Sequence, residues 1–241
     1  MPSLPKHTLK AYDAELDELR ALVSQMGGLA QSLLEDAIAA LLLRDSKRAT
    51  QLIAADKAID TLEIEIERLA VQTIALRAPM ADDLREIIGA LKISAILERI
   101  GDYAKNIAKR ATVLAEMDQF QHMAILPEMS RLASGMIKDT LDAFVERDAD
   151  KAAAVRDRDP QVDSLYNALF RELLTYMMEN QRAITPSTHL LFIAKNIERI
   201  GDHATNAAEV VYFSATGNAL EATREKKDRT AFATLDDWQS K

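Results

Sequence analysis

The chain has 241 residues, with 38 acidic against 30 basic side chains, a formal net charge of −8 and no cysteine. The lack of cysteine removes disulfides, thiolate nucleophiles and Cys-ligated zinc or iron–sulfur clusters, and the acidic balance argues against nucleic-acid binding, which needs basic surface to release counterions. Apolar residues at 48% with only 7 Gly and 6 Pro favour a helical protein with a sizeable core.

Residues 1–8, with Pro2 and Pro5, read as a loose lead-in without the apolar segment of a signal peptide. From about Leu9, residues such as Leu16, Leu19, Val23, Met26, Leu29, Leu33, Leu34, Ile38 and Leu41 recur at steps of three and four. That spacing predicts a long first helix ending near Arg44. Gly27-Gly28 inside it is expected to weaken or bend it, at about 1 kcal/mol per Gly relative to Ala. Asp45 is a natural cap for a second helix over 46–76, whose buried stripe runs through Leu52, Ile59, Leu62, Ile66, Leu69 and Val71. Pro79 then breaks the chain. The third helix opens near Ala81, with Asp82 and Asp83 at its positive end, and runs toward Met117. Pro127 lies in the connection that follows. No apolar run reaches the ~18–20 residues of a membrane span, so a soluble cytoplasmic protein is the default expectation.

The pattern then starts again. At an offset of 103, Met26 answers Met129, Leu29 answers Leu132, Asp36 answers Asp139, and Arg44-Asp45 answers Arg147-Asp148. The offset falls to 100 only across the loop between second and third helices, where Pro79 and Pro186 punctuate both copies. A length change confined to a turn is what a structural repeat tolerates. The chain therefore reads as all-α, two tandem similar three-helix bundles built from six long helices. The first covers 9–120 and the second 125–216. The charged tail, 217–241, is expected to be mobile or a short surface helix, apolar only at Phe232, Leu235 and Trp238.

The densest identity between the copies is Glu98-Arg99-Ile100-Gly101-Asp102 against Glu198-Arg199-Ile200-Gly201-Asp202, continued by Asn106 and Asn206. On a helix Glu98, Asp102 and Asn106 form one row. Two carboxylates four residues apart repel unless a cation lies between them, and that cation is either a metal ion or a basic side chain. Gly101 weakens a helix yet recurs as Gly201, which predicts close approach of something to the backbone there. Oxygen-only ligands suit Mg²⁺, Mn²⁺, Ca²⁺ or iron. The metal candidates are Glu98, Asp102, Glu198 and Asp202, with Asp60 and Asp163 from the second helices. Asn106, Asn206, Asp56 and Asp159 rank behind them. Pro160 directly after Asp159 makes that aspartate and Asp56 read as helix caps first. The competing reading of the rows is an interhelical salt-bridge network. Lys105, Lys109 and Arg110 read first as a solvated basic face, with neutralisation of acidic neighbours or contact with an acidic partner as the other readings, and His189, near a helix start, reads as a surface residue. His203 stands where the first copy has Tyr103, which argues against a shared ligand. No Glu-x-x-His pair, phosphate-binding Gly-Lys loop or Gly-x-Ser-x-Gly elbow is present.

The motif-bearing segments 98–106 and 198–206, with Asp56-x-x-x-Asp60 and Asp159-x-x-x-Asp163, resemble the PhoU family of phosphate-uptake regulators, and the resemblance extends over about residues 9–214. It implies two tandem three-helix bundles and no enzymatic activity. It implies a negative regulator of the phosphate-starvation response that bridges the ATPase component of a phosphate ABC transporter and a phosphate-sensing histidine kinase. Such a protein would act in the cytoplasm, at the inner face of the membrane through its partners, without inserting into it. The family also implies a homodimer and, on the acidic motifs, divalent or ferric ions (iron, manganese, magnesium or zinc). A metal-dependent enzyme acting at the acidic rows is the alternative reading.

Overall fold

A computed structural model describes residues 6–118 and 123–220, with side chains from Tyr12 onward. The lead-in 1–5 and the tail beyond Leu220 lie outside the described residues, as do the expectations placed on them. Eight α-helices are present among the described residues and no strand. They are α1 Lys6–Leu43, α2 Ser46–Ala55, α3 Lys57–Arg77, α4 Ala81–Ala115, α5 Leu126–Glu146, α6 Ala149–Arg156, α7 Asp159–Glu179 and α8 Ile184–Thr216. Pro127 sits in the first turn of α5, where its missing N–H costs nothing.

The six predicted rods become eight segments because the second helix of each copy is interrupted. At Asp56 the ladder tightens: the Ile59 amide donates to the Asp56 carbonyl at 2.8 Å. In the second copy the break falls at Asp157 and Arg158, just ahead of Pro160, which has no N–H to continue the ladder. Asp56 and Asp159 therefore do not act as caps. Asp56 makes no side-chain cap bond, and Asp159 is the first residue of α7 rather than the residue before it.

The first junction repeats closely. Arg44 and Arg147 follow their helices with φ of 56° and 55°, the left-handed cap conformation that non-glycine residues adopt at a cost of about 1 kcal/mol. Asp45 then caps α2 by accepting from the Arg48 amide at 2.8 Å, and Asp148 caps α6 by accepting from the Lys151 amide at 2.9 Å. Arg44 is held in place by donating to the carbonyls of Ala115 and Asp118 at 3.0 and 3.4 Å, at the negative end of α4.

The glycine pair does not interrupt α1. Instead, a Cβ on Gly27 would stand 2.5 Å from Leu141 Cδ1, so the glycine lets α5 approach α1. Within α1 the stretch Tyr12–Leu43 is long and apolar enough to meet the composition criterion for a membrane span, contrary to the sequence expectation. Its apolar side is occupied, however: Leu16, Leu19, Val23, Met26, Ala30 and Leu34 are all buried in the core.

Helix α1 packs on α4 and α5, and α4 on α8. Gly89 faces Ser214, Tyr103 faces His203 and Arg110 faces His189, so α4 and α8 run antiparallel about a pseudo-twofold axis at Tyr103/His203. The kinked pairs α2/α3 and α6/α7 cover the outer flanks. The two copies thus share one continuous core. A buried ion bridge joins them as well. Glu86, 3% exposed, accepts from Arg20 Nε at 2.5 Å, and Arg147 of the second copy lies 3.4 Å away.

Candidate functional site

Each acidic row lies on the flank of its third helix that faces the kinked second helix. In the first copy Lys105, one turn beyond Asp102, reaches back. Its Nζ donates at 2.5 Å to Asp102 Oδ1 and at 2.5 Å to Asp56 Oδ2. Asp56 is 4% exposed, so its charge is tolerable only because a cation faces it. Burial alone would lower the lysine's pKa, but its bonds to Asp102 and Asp56 outweigh that and raise it above the ordinary lysine value. The ammonium therefore stays charged.

Glu98 does not reach Lys105. Burial, then the charges of Asp102 and Glu63, push its pKa up, and Arg99 offsets only part of this. The Arg99 guanidinium stands 3.8 Å from Glu98 and is largely exposed. Glu63 is raised likewise by burial and by Asp60 and Glu67. Asp60 itself is exposed. The first copy is thus an acidic strip on α3 and α4, neutralised at one end by Lys105.

The second copy uses a different lysine. Thr205 stands where Lys105 would be, buried and bonded to the Gly201 carbonyl at 3.1 Å. Lys195, one turn before Glu198 and replacing Ala95, instead sits 2.8 Å from Glu198 Oε1 and over the Tyr166 ring at 4.9 Å. Glu198, Asp159 and Asp163 are buried at 4%, 1% and 2% exposure, and Asp202 is half-buried. Between the rows, Tyr103 and His203 contact each other, ring centroids 5.4 Å apart, and Arg199 lies over Tyr103.

The glycine expectation holds in the first copy only. A Cβ on Gly101 would meet Ile59 Cδ1 at 2.8 Å and Asp56 Oδ1 at 3.2 Å, whereas one on Gly201 would meet Val162 at an ordinary 3.6 Å. What approaches Gly101 is the broken second helix rather than a ligand.

Several sequence expectations are corrected here. Lys105 is no part of a solvated face, because Asp56 and Asp102 hold it at the row. Arg110 is half-buried over Phe192, 4.1 Å from the ring centroid, and only Lys109 of that cluster is exposed. His189 is half-buried too, its Nδ1 3.3 Å from Arg110, and burial followed by that guanidinium lowers its pKa. Lys105 fits the second reading of its cluster, neutralising acidic neighbours, whereas Lys195 was missed as a member of the site. The signal was present in their spacing of three residues from Asp102 and Glu198, which places them on the same helix face.

Among the described residues no group of three or more His, Asp or Glu side chains converges as metal ligands do. Asn106 and Asn206 extend the rows, half-buried and exposed respectively. In the first copy the ammonium of Lys105 lies between Asp56 and Asp102. Two grooves on the outer flanks are lined by other residues. One groove of about 310 Å³ runs over Leu29, Leu33, Leu52 and Ile59, and an open one of about 580 Å³ over Leu132, Pro160 and Leu165.

The PhoU domain family matches residues 23–111 and 126–211. The chain is 52% identical to the phosphate-specific transport system accessory protein PhoU homolog of Zymomonas mobilis, across 93% of this chain and 95% of that one. It is 51% identical to the corresponding homolog of Caulobacter vibrioides, across 93% and 98%. The crystal structure of PhoU from Pseudomonas aeruginosa superposes with a TM-score of 0.82 at 38% identity, covering 86% of this chain and all of that one. That of the phosphate transport system regulatory protein PhoU from Streptococcus pneumoniae gives 0.81 at 31%, covering 88% and all of that chain. With both repeats matched and relatives of this identity aligned over nearly the whole chain, this protein belongs to the PhoU family.

Proposed function

We propose that this chain is a non-enzymatic, negative regulator of phosphate uptake and of the phosphate-starvation response. Relatives named as accessory proteins of phosphate-specific transport support the phosphate role. It acts in the cytoplasm as a homodimeric adaptor between the ATPase component of a phosphate ABC transporter and a phosphate-sensing histidine kinase. The observation that carries the adaptor reading is the acidic strip of Asp60, Glu63, Glu98 and Asp102 on the α3/α4 flank, which reaches the surface and is neutralised by Lys105 at one end only. That arrangement suits contact with other proteins better than turnover of a small substrate. Removing the gene is expected to leave phosphate-uptake genes expressed in phosphate-rich medium, and co-purification is expected to recover the transporter ATPase. Constitutive repression in the deletion strain would refute the reading.

A second reading places a divalent or ferric ion (iron, manganese, magnesium or zinc) on the first row. The excess negative charge that raises Glu98 supports it, since Asp102 and Glu63 still repel that carboxylate. Binding would require Lys105 to swing away from Asp56 and Asp102. Elemental analysis after mild purification, on the intact protein and on Lys105→Ala, tests it. Metal in neither sample removes the reading.

A further inference from the structure

Between the two acidic rows, the solvent-facing stripe of the α4/α8 pair has the opposite character. At steps of three and four, α4 presents Lys92, Arg99, Tyr103 and Arg110, and antiparallel α8 presents Phe192, Arg199, His203 and Phe213. No Asp or Glu falls at any position of either stripe, in a chain whose net charge is −8. Elsewhere the arginines find carboxylates: Arg20, Arg48, Arg77 and Arg131 are each within 2.7 Å of one. Here they do not. Arg110 has only the Phe192 ring and His189 as neighbours, and burial lowers its pKa. Arg199 is exposed and lies over Tyr103 at 5.7 Å. Phe192 and Phe213 remain 50% and 41% exposed near opposite ends of the stripe.

We propose that this stripe is a docking surface for an acidic helix of a partner protein. A half-desolvated guanidinium without a counterion is costly, and an incoming carboxylate would relieve it with a charge-assisted hydrogen bond. Rows of cations with an aromatic at each end match the anchors that protein interfaces favour. From Lys92 to Arg110 the stripe is about 27 Å long at 1.5 Å per residue, five turns of a partner helix. The flanks decide what kind of acidic partner fits. Glu63, Glu98 and Asp102 border the stripe on one side and the half-buried Asp202 on the other, so a broad anionic surface such as a bilayer would meet carboxylates at both edges. A single acidic helix lies between them and meets only cations.

This names the chemistry of one contact in the adaptor reading and rests on it, but its test contains neither transporter nor kinase, so either can fail without the other. Full-length protein is titrated with an amphipathic peptide of about 20 residues built from Leu, Ala and Glu, with the same peptide carrying Lys for Glu, and with phosphatidylserine vesicles. The variants are Arg99→Glu/Arg199→Glu and, as a control of equal charge, Lys47→Glu/Lys57→Glu on the exposed outer flank. The acidic peptide is expected to bind in a salt-sensitive manner, about tenfold more weakly to the arginine variant and nearly unchanged to the lysine control. Failure of the acidic peptide to bind, or equal loss in both variants, overturns the proposal. So does vesicle binding abolished by the arginine variant, which would make the face a lipid surface. Dissociation of dimers by that variant would equally overturn it, by assigning the face to a second copy.

Discussion

Replacing Gly101 and Gly201 separately by alanine should move stability in opposite directions, although the two residues occupy the same place in the same motif. In an unhindered helix interior the change gains about 0.8–1 kcal/mol. At Gly201 nothing opposes that gain, since the new methyl would rest 3.6 Å from Val162. At Gly101 the methyl would stand 2.8 Å from Ile59 Cδ1, so the side chain of Ile59, 1% exposed, must shift to admit it. It would also press on Asp56, displacing the carboxylate that Lys105 holds. Overpacking of this kind costs about 1–3 kcal/mol, so Gly101→Ala should lose about 1 kcal/mol net. The difference between the two variants is about 2 kcal/mol, or roughly 4–8 °C in melting temperature for a chain of this size. Thermal unfolding followed by circular dichroism, with urea titration for the free energies, measures it. Equal stabilisation by both substitutions would refute the steric account of the first motif.

Lys105→Met should destabilise by about 1–3 kcal/mol, because it leaves the Asp56 carboxylate buried without a cation. The double variant with Asp56→Asn should recover most of that loss in a urea-denaturation cycle, and strict additivity would contradict the pairing. Glu15 and Glu98 should give opposite pH signatures. The Arg77 hydrogen bond, helped by the guanidinium charge and opposed by burial, lowers the Glu15 pKa, so its stabilisation is present above the ordinary carboxylate value, near 4.3, and is lost as pH falls through the lowered folded value. Glu15→Gln should therefore weaken the protein at neutral pH and matter little in strong acid. Glu98 is raised, so the folded state binds its proton more tightly and stability declines as pH rises through that window. Glu98→Gln should stabilise at neutral pH and lose its advantage below about pH 4. Stability profiles of the two variants against pH check both signs.

The fold was legible because its signals were local and duplicated. Periodic leucines marked the long helices, Pro79 and Pro186 marked the loops, and Arg44-Asp45 with Arg147-Asp148 marked a junction that recurs in both residue type and backbone conformation. The break at Asp56 was not legible, since the apolar stripe runs through it unbroken and only Lys105, forty-nine residues away, accounts for the aspartate's burial. Gly27 misled for a related reason. Its purpose is the approach of Leu141 on α5, a tertiary contact that helix propensity does not register. At the rows, the doubled Glu and Asp pointed correctly to a place needing positive charge. The lysine at each row differs between the copies, Lys105 against Thr205 and Ala95 against Lys195, so the repeat itself does not reveal it. The basic stripe is not legible in the sequence, because Arg99 and Arg110 on α4 join Arg199 in a common face only when α8 lies antiparallel beside α4.

The central claim is that the two acidic rows on α4 and α8 are the working surface of a phosphate-uptake regulator. The direct measurement is a phosphate-responsive promoter fused to a reporter, in a host lacking its own copy of the gene. The strain is complemented with the intact chain or with Glu98→Gln/Asp102→Asn/Glu198→Gln/Asp202→Asn, after circular dichroism has established that the variant is folded. The account predicts repression in phosphate-rich medium by the intact chain and substantial derepression with the folded variant. Full repression by the variant would contradict it.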